Sequence, residues 1–202
     1  MSRTTPKEKR PIVLSLLSEA ADAFAAGRYA RAHQILLRAK KETTRVATVR
    51  ELLGLTAYRM GRWDEALKEL RTYRRIDGDT SHMPVEMDCQ RALGRPHDVE
   101  KTWERYNELD GLSSTDAECK VVYGAFLLDE DRAREAWTVV NPGRISQTPK
   151  EWDLRQWYVA ARVAARLGDA HTARQLLGAI EQHELAFPGL DVVRDELAAL
   201  GQ

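Results

Sequence analysis

Arg50-Glu51-Leu52-Leu53-Gly54-Leu55-Thr56-Ala57-Tyr58-Arg59-Met60-Gly61-Arg62-Trp63-Asp64-Glu65-Ala66-Leu67-Lys68-Glu69-Leu70 is two helical patterns broken by one glycine. After Gly61, the residues Trp63, Ala66, Leu67, Leu70 and Tyr73 recur at steps of three and four, the spacing of one helix face. The pattern predicts helices over 46–60 and 63–77 with a tight turn at Gly61.

The turn phrase is repeated along the chain. Gly27-Arg28-Tyr29 with Ala32 stands 34 residues before Gly61-Arg62-Trp63 with Ala66, and Gly94-Arg95-Pro96 with Val99 stands 33 after it. Asp131 with Ala136 follows 37 later, and Gly168-Asp169-Ala170 with Ala173 another 37 later. A period in the mid-thirties is the mark of stacked helix pairs. Eleven helices are predicted: 12–26, 29–43, 46–60, 63–77, 83–93, 97–109, 115–130, 132–140, 150–167, 170–182 and 189–200. Thr148-Pro149-Lys150-Glu151 and Thr115 with Glu118 read as capping boxes. Asn141-Pro142-Gly143 should end the eighth helix, and Gly78 and Gly111 mark other turns. The longest internal loop is expected between Asn141 and Thr148.

The second unit resembles the tetratricopeptide repeat (TPR) family. Its motif has a Leu-Gly pair in the first helix, an aromatic four residues on, then glycine, an aromatic and an alanine. Here these are Leu53-Gly54, Tyr58 displaced by one, Gly61, Trp63 and Ala66. The other units keep less of it: the first lacks the Leu-Gly pair, the third has Pro96 and Val99, the fourth has Asp131 for glycine and the fifth has Ala170 for the aromatic. As a whole the chain also resembles TPR proteins of high-GC Gram-positive bacteria. The resemblance implies an all-α, right-handed TPR-like solenoid of about five antiparallel helix pairs. The repeats would cover 12–43, 46–78, 80–110, 115–141 and 150–183, with a flexible basic tail over 1–11. A capping helix over 189–200 would bury Leu190, Val193, Leu197 and Leu200. Residues 12–202 would form one domain. Gly54 and Ala66 would let paired helices approach to roughly 8–10 Å, with Trp63 beside them.

Composition fits this reading. The 202 residues carry 31 basic and 31 acidic side chains, and 43% are hydrophobic, enough for a packed core. The zero net charge conceals an asymmetry: residues 1–50 sum to +7 and the remainder to −7. Cys89 and Cys119 sit in apolar helical patterns, which suits buried free thiols and a reducing compartment. No run approaches the ~20 apolar residues of a membrane span, and the apolar stretch at Ile12-Val13-Leu14 breaks too soon for a signal peptide. A cytoplasmic protein is expected.

In the resemblance, the first helix of each pair lines the inner face. That register places Glu51, Leu55, Tyr58 and Arg59 there, then Asp88 and Arg91, then Arg155, Tyr158, Arg162 and Arg166. The last four share a helix face by spacing alone. Three arginines beside a tyrosine can grip carboxylates through forked hydrogen bonds. The competing reading is a solvated face whose arginine stems cover apolar surface. Arg71, Arg74 and Arg75 read as cations favoured at a helix C-terminus. Trp103 and Trp157 read as core, and Trp152 as partly exposed. The lysine/asparagine/arginine clamp by which some TPR proteins hold a C-terminal carboxylate is not matched, because Asn107 and Asn141 lie off the inner positions.

Catalysis finds little footing. His33, His82, His97, His171 and His183 are scattered, with no metal-ligand spacing, phosphate loop or nucleophile elbow. No cofactor or metal is expected. The function expected is a non-enzymatic adaptor binding another protein, through an acidic or extended segment. Nucleic-acid binding through the basic first repeat and tail, and self-association as a homo-oligomer, stay open beside it.

Overall fold

A computed structural model describes residues 7–43, 46–109 and 113–200. Among them the chain is all-α. Its helices are α1 (Arg10–Ala25), α2 (Tyr29–Glu42), α3 (Ala47–Arg59), α4 (Trp63–Asp77), α5 (Met83–Ala92), α6 (Pro96–Asn107), α7 (Ser113–Asp129), α8 (Ala133–Val140), α9 (Glu151–Arg166), α10 (Ala170–His183) and α11 (Leu190–Ala199). Lys7–Lys9 form a single 3-10 turn ahead of α1, so the helix begins two residues earlier than its apolar periodicity suggests. The rest of the tail expected over 1–11, and the turn expected at Gly111, lie outside the described residues.

The repeated turn has a single backbone solution. Gly27, Gly61, Gly94, Asp131 and Gly168 take φ of 69°, 69°, 63°, 57° and 81°. The following N–H reaches back to the carbonyl five residues earlier: Arg62 to Ala57 at 2.9 Å, and Arg132 to Leu127 at 2.8 Å. This is the left-handed Schellman ending that occupies orphan carbonyls and reverses the chain into the next helix. At Gly78 the same conformation (φ 84°) ends α4.

The chain forms two compact units, one up to Thr102 and one from Trp103. In the first, α1 and α2 pack as a hairpin, α3 lies against α2, α4 against α3 and α5 against α4. Val13, Leu16, Ala20 and Ala23 of α1 meet Ile35, Leu36 and Ala39 of α2 and Val49 and Leu53 of α3. Gly54 does what its small size suggests, although its neighbour is Leu70 rather than Ala66: a Cβ there would lie 2.7 Å from Leu70 Cγ. Trp63 is half-buried and meets Tyr58 edge-on, with centroids 5.4 Å apart.

In the second unit, α7 packs on α8 and α9, and α9 on α8 and α10. Gly124 occupies the position of Gly54 two repeats on, and a Cβ there would overlap Val140 of α8. Trp157 is core, and Trp103 is half-buried, stacked on Tyr123 at 4.5 Å. Helix α11 lies on α9 and α10 and buries Leu190, Val193 and Leu197, but Leu200 is 42% exposed. Asn141 and Pro142 stop α8 as expected, with the Asn141 side chain accepting from the Gly143 N–H at 2.9 Å.

Both expected capping boxes are displaced. The cap of α9 is Lys150, whose N–H donates to Asp153 Oδ2 at 2.7 Å, so Asp153 takes the role assigned to Glu151. Thr115 is buried within the first turn of α7, which starts at Ser113.

Candidate partner-binding faces

The helix pairs are tied by polar links between side chains about one repeat apart. In the first unit the partners are 30 to 32 residues apart: Tyr58–Asp88, Arg59–Tyr29, Glu51–His82 and His33–Glu65. In the second they are 34 to 37 apart: Arg162–Glu196, Arg166–Asp131 and Arg155–Glu118. A stack of near-equal units puts equivalent positions side by side, so opposite charges one period apart become neighbours.

In the first unit, Tyr58 donates to Asp88 Oδ2 at 2.6 Å, and Arg91 Nη1 lies 3.2 Å from Asp88 Oδ1. Three expected site residues are therefore one cluster across α3 and α5. Burial, then the Asp88 hydrogen bond, push the Tyr58 phenol well above its usual range, so it remains a donor. Arg59 turns away from this cluster. It donates to the Tyr29 hydroxyl from Nε (3.1 Å) and Nη2 (2.9 Å), with its guanidinium 5.3 Å from that ring's centre. Glu51 pairs with His82 at 2.9 Å.

In the second unit, α9 carries the arginine stripe, and each arginine goes to a different neighbour. Arg155 pairs with Glu118 of α7 at 2.8 Å and with Glu151 of its own helix. Arg162 forks onto Glu196 of α11, from Nε at 3.1 Å and Nη2 at 2.9 Å, while lying 6.0 Å from the centre of the Tyr158 ring. Arg166 reaches Asp131 at 2.7 Å. Burial works against the charge on Arg155 and Arg162, but their carboxylate partners outweigh it and hold both pKa values above the ordinary one. Tyr158 is half-buried: Phe187 lies 5.6 Å away, and a Cβ at Gly189 would come within 2.6 Å of its hydroxyl oxygen. An open groove of about 490 Å³ runs past the end of the stripe, lined by Asp131, Arg132, Arg134, Glu135, Arg166 and Leu167.

Two buried carboxylates were not identified from the sequence. Glu69 of α4 is 1% exposed and receives Lys40 of α2 and Arg50 of α3, each at 2.6 Å. Glu86 of α5, also 1% exposed, receives a fork from Arg74 at 2.9 and 3.0 Å, with Arg71 at 3.8 Å. Arg71 and Arg74 are therefore ion-pair partners of α5 and not merely helix-end cations. The available signal was a carboxylate inside an apolar stripe: Ala66-Glu69-Leu70-Tyr73 and Met83-Glu86-Met87-Gln90.

Both cysteines are buried free thiols. Burial pushes Cys89 up to about 12 and raises Cys119 as well, so neither supplies a thiolate at neutral pH. Among the described residues no group of His, Cys, Asp and Glu could hold a metal ion, and no helix is long and apolar enough to cross a membrane.

No protein-family model and no curated protein matches the chain. Solved structures do. A thermophilic TPR protein of Thermus thermophilus superposes with a TM-score of 0.64 at 17% identity, over 93% of this chain and 98% of that one. A tetratricopeptide repeat protein of Parabacteroides merdae does so with a TM-score of 0.54 at 10% identity, over 97% and 87%. The fold is that of TPR proteins, an all-α, TPR-like helical repeat.

Proposed function

We propose that the chain is a non-enzymatic cytoplasmic scaffold that receives an acidic, extended segment of another protein on the inner faces of its first-of-pair helices. Tyr58, Arg59 and Arg91 serve in the first unit, and Arg155, Tyr158, Arg162 and Arg166 in the second. The observation carrying this reading is the exposure of the two ends of the α9 stripe. Arg155 and Arg166 are 44% and 49% exposed, and Asp131, the partner of Arg166, is 83% exposed. Exposed pairs contribute only about 0–1 kcal/mol, so an incoming carboxylate can replace an internal one at little cost. The groove beside Arg166 gives such a segment room, and Arg134 on its wall has no ion-pair partner among the described residues. Arg162 and Tyr158, packed against α11 and its preceding loop, position the stripe.

The test is a peptide array of acidic and charge-matched neutral 15-residue segments probed with the full chain. Acidic segments should be retained by the wild type and lost by R155A/R166A. Equal retention of neutral segments, or unchanged retention by the double variant, would refute the reading.

A further inference from the structure

The outer surface of the first unit has a different character from its inner face. Helices α2 and α4, both packed on α3, are linked by Lys40 to Glu69 at 2.6 Å and His33 to Glu65 at 2.8 Å. Their outward stripes are cationic. Lys68, Arg71 and Arg75 recur on α4 at steps of three and four, and Arg38 and Lys41 stand three apart on α2. Several other cations of this unit are matched: Arg31 with Glu19, Arg62 with Glu65, Arg91 with Asp88 and Arg95 with Asp64. The side chains of Arg38, Lys41, Lys68 and Arg75 have no hydrogen-bond or ion-pair partner among the described residues, and Arg71 is 3.8 Å from Glu86 with its side chain 44% exposed. Arg38 and Lys41 bring two of the cations of residues 1–50 to this side, and Lys68, Arg71 and Arg75 of α4 add to them.

We propose that this outer face of α2 and α4 binds the phosphate backbone of nucleic acid, independently of sequence. The Lys68–Arg75 stripe spans about 10 Å along its axis, and Arg38 and Lys41 stand across the Lys40–Glu69 link from it, so the patch can cover three or four phosphates. The chemistry of the patch favours this occupant over two others. A folded protein partner needs apolar or aromatic anchors, and here only the edges of Leu37 (37% exposed) and Ile76 (38% exposed) emerge between the cations. A lipid surface needs a protruding apolar stripe opposite the charges, which these helices bury in the core. Nucleic acid needs neither, since release of its counterions supplies the affinity. The ring of Tyr29 packs on Phe24, and Trp63 packs on Tyr58, so neither is offered to a base and the contact is to phosphates.

The test uses the full chain and a fluorescein-labelled mixed-sequence 20-nucleotide single-stranded RNA. Four partnerless cations on phosphates give a slope of log K against log salt near about −2.8, so raising salt from 50 to 200 mM should weaken binding roughly fifty-fold. R38A/K41A/K68A/R75A should flatten the slope toward zero, and the charge reversal K41E/R75E should lower affinity at 50 mM salt by more than about ten-fold. Both variants should keep the wild-type helical circular dichroism. R155A/R166A, which loses acidic peptides if the scaffold reading holds, should retain RNA as the wild type does. No RNA retention at 50 mM salt, an unchanged slope in the quadruple variant, or binding to phosphatidylserine vesicles without RNA binding would each overturn the proposal.

Discussion

Asp131 stands at the turn position that Gly61 occupies two repeats earlier, with φ of 57° against 69°, and its carboxylate reaches Arg166 at 2.7 Å. Among the described residues it is the non-glycine with positive φ. The side chain thus trades backbone strain for an exposed ion pair. Left-handed geometry costs an L-residue about 1–2 kcal/mol, less for Asp, whereas the pair contributes about 0–1 kcal/mol. D131G is therefore expected to be at least as stable as the wild type, by up to about 0.5 kcal/mol, and D131A less stable by about 1 kcal/mol. Urea unfolding midpoints decide it; D131G falling below D131A would show that the turn is not strained.

Gly54 tests the close approach of α3 and α4. A Cβ would meet Leu70 Cγ at 2.7 Å, Leu70 Cδ2 at 2.8 Å and the Leu70 backbone nitrogen at 3.2 Å, and Leu70 is fully buried. G54A should destabilise by about 1 kcal/mol, the overpacking exceeding the gain in helix propensity. In G54A/L70A the two costs should sum to less than the separate values, because the cavity left at Leu70 admits the new methyl. Strict additivity in thermal melts would dismiss the contact.

Much of this was legible in the sequence. The repeat period needs only the turn residues, and the turn chemistry is local enough to place Asp131 in register with the glycines. Gly54 could be recognised because a small residue in an apolar helix has few other uses. What stayed hidden was tertiary. Glu69 and Glu86 look like solvated helix charges until Lys40, Arg50 and Arg74, 29, 19 and 12 residues away, are brought to them. The arginine stripe of α9 was found by spacing, but its commitments to Glu118, Asp131 and Glu196 depend on how the neighbouring helices pack.

Glu69 gives the fold an acid sensitivity. Burial, the largest influence, raises its pKa, but hydrogen bonds from Lys40 and Arg50 with their charges leave it below the ordinary value. A carboxylate depressed in the folded state contributes stability above its unfolded pKa of about 4.3, and loses it as pH falls through the folded value. Unfolding free energy should therefore drop below about pH 4, and E69Q should show a shallower drop from a lower plateau. Parallel curves for wild type and E69Q would remove Glu69 as a source.

Cys89 and Cys119 should be silent toward a thiol reagent in the folded protein at pH 8, since burial holds the Cys89 thiol up to about 12 and raises Cys119 too. Both should react at once in urea. A native burst equivalent to one thiol would mean that one helix pair opens readily.

Arg162 separates holding from binding within the α9 stripe. Its pair with Glu196 is half-buried, with side chains 27% and 23% exposed, and is forked, so it ties α11 to α9 in a way that the open pairs of Arg155 and Arg166 do not. R162A and E196A should each cost about 1–2 kcal/mol, and the double variant little more than one of them, since removing either partner already forfeits the pair. The loss should register as faster amide exchange across Leu190–Ala199 while the amides of α7 and α8 keep their protection. R155A/R166A should leave those rates and the melting temperature unchanged. If R162A exchanges like the wild type, α11 is held by Leu190, Val193 and Leu197 alone, and the arginine is as available to a partner as its neighbours.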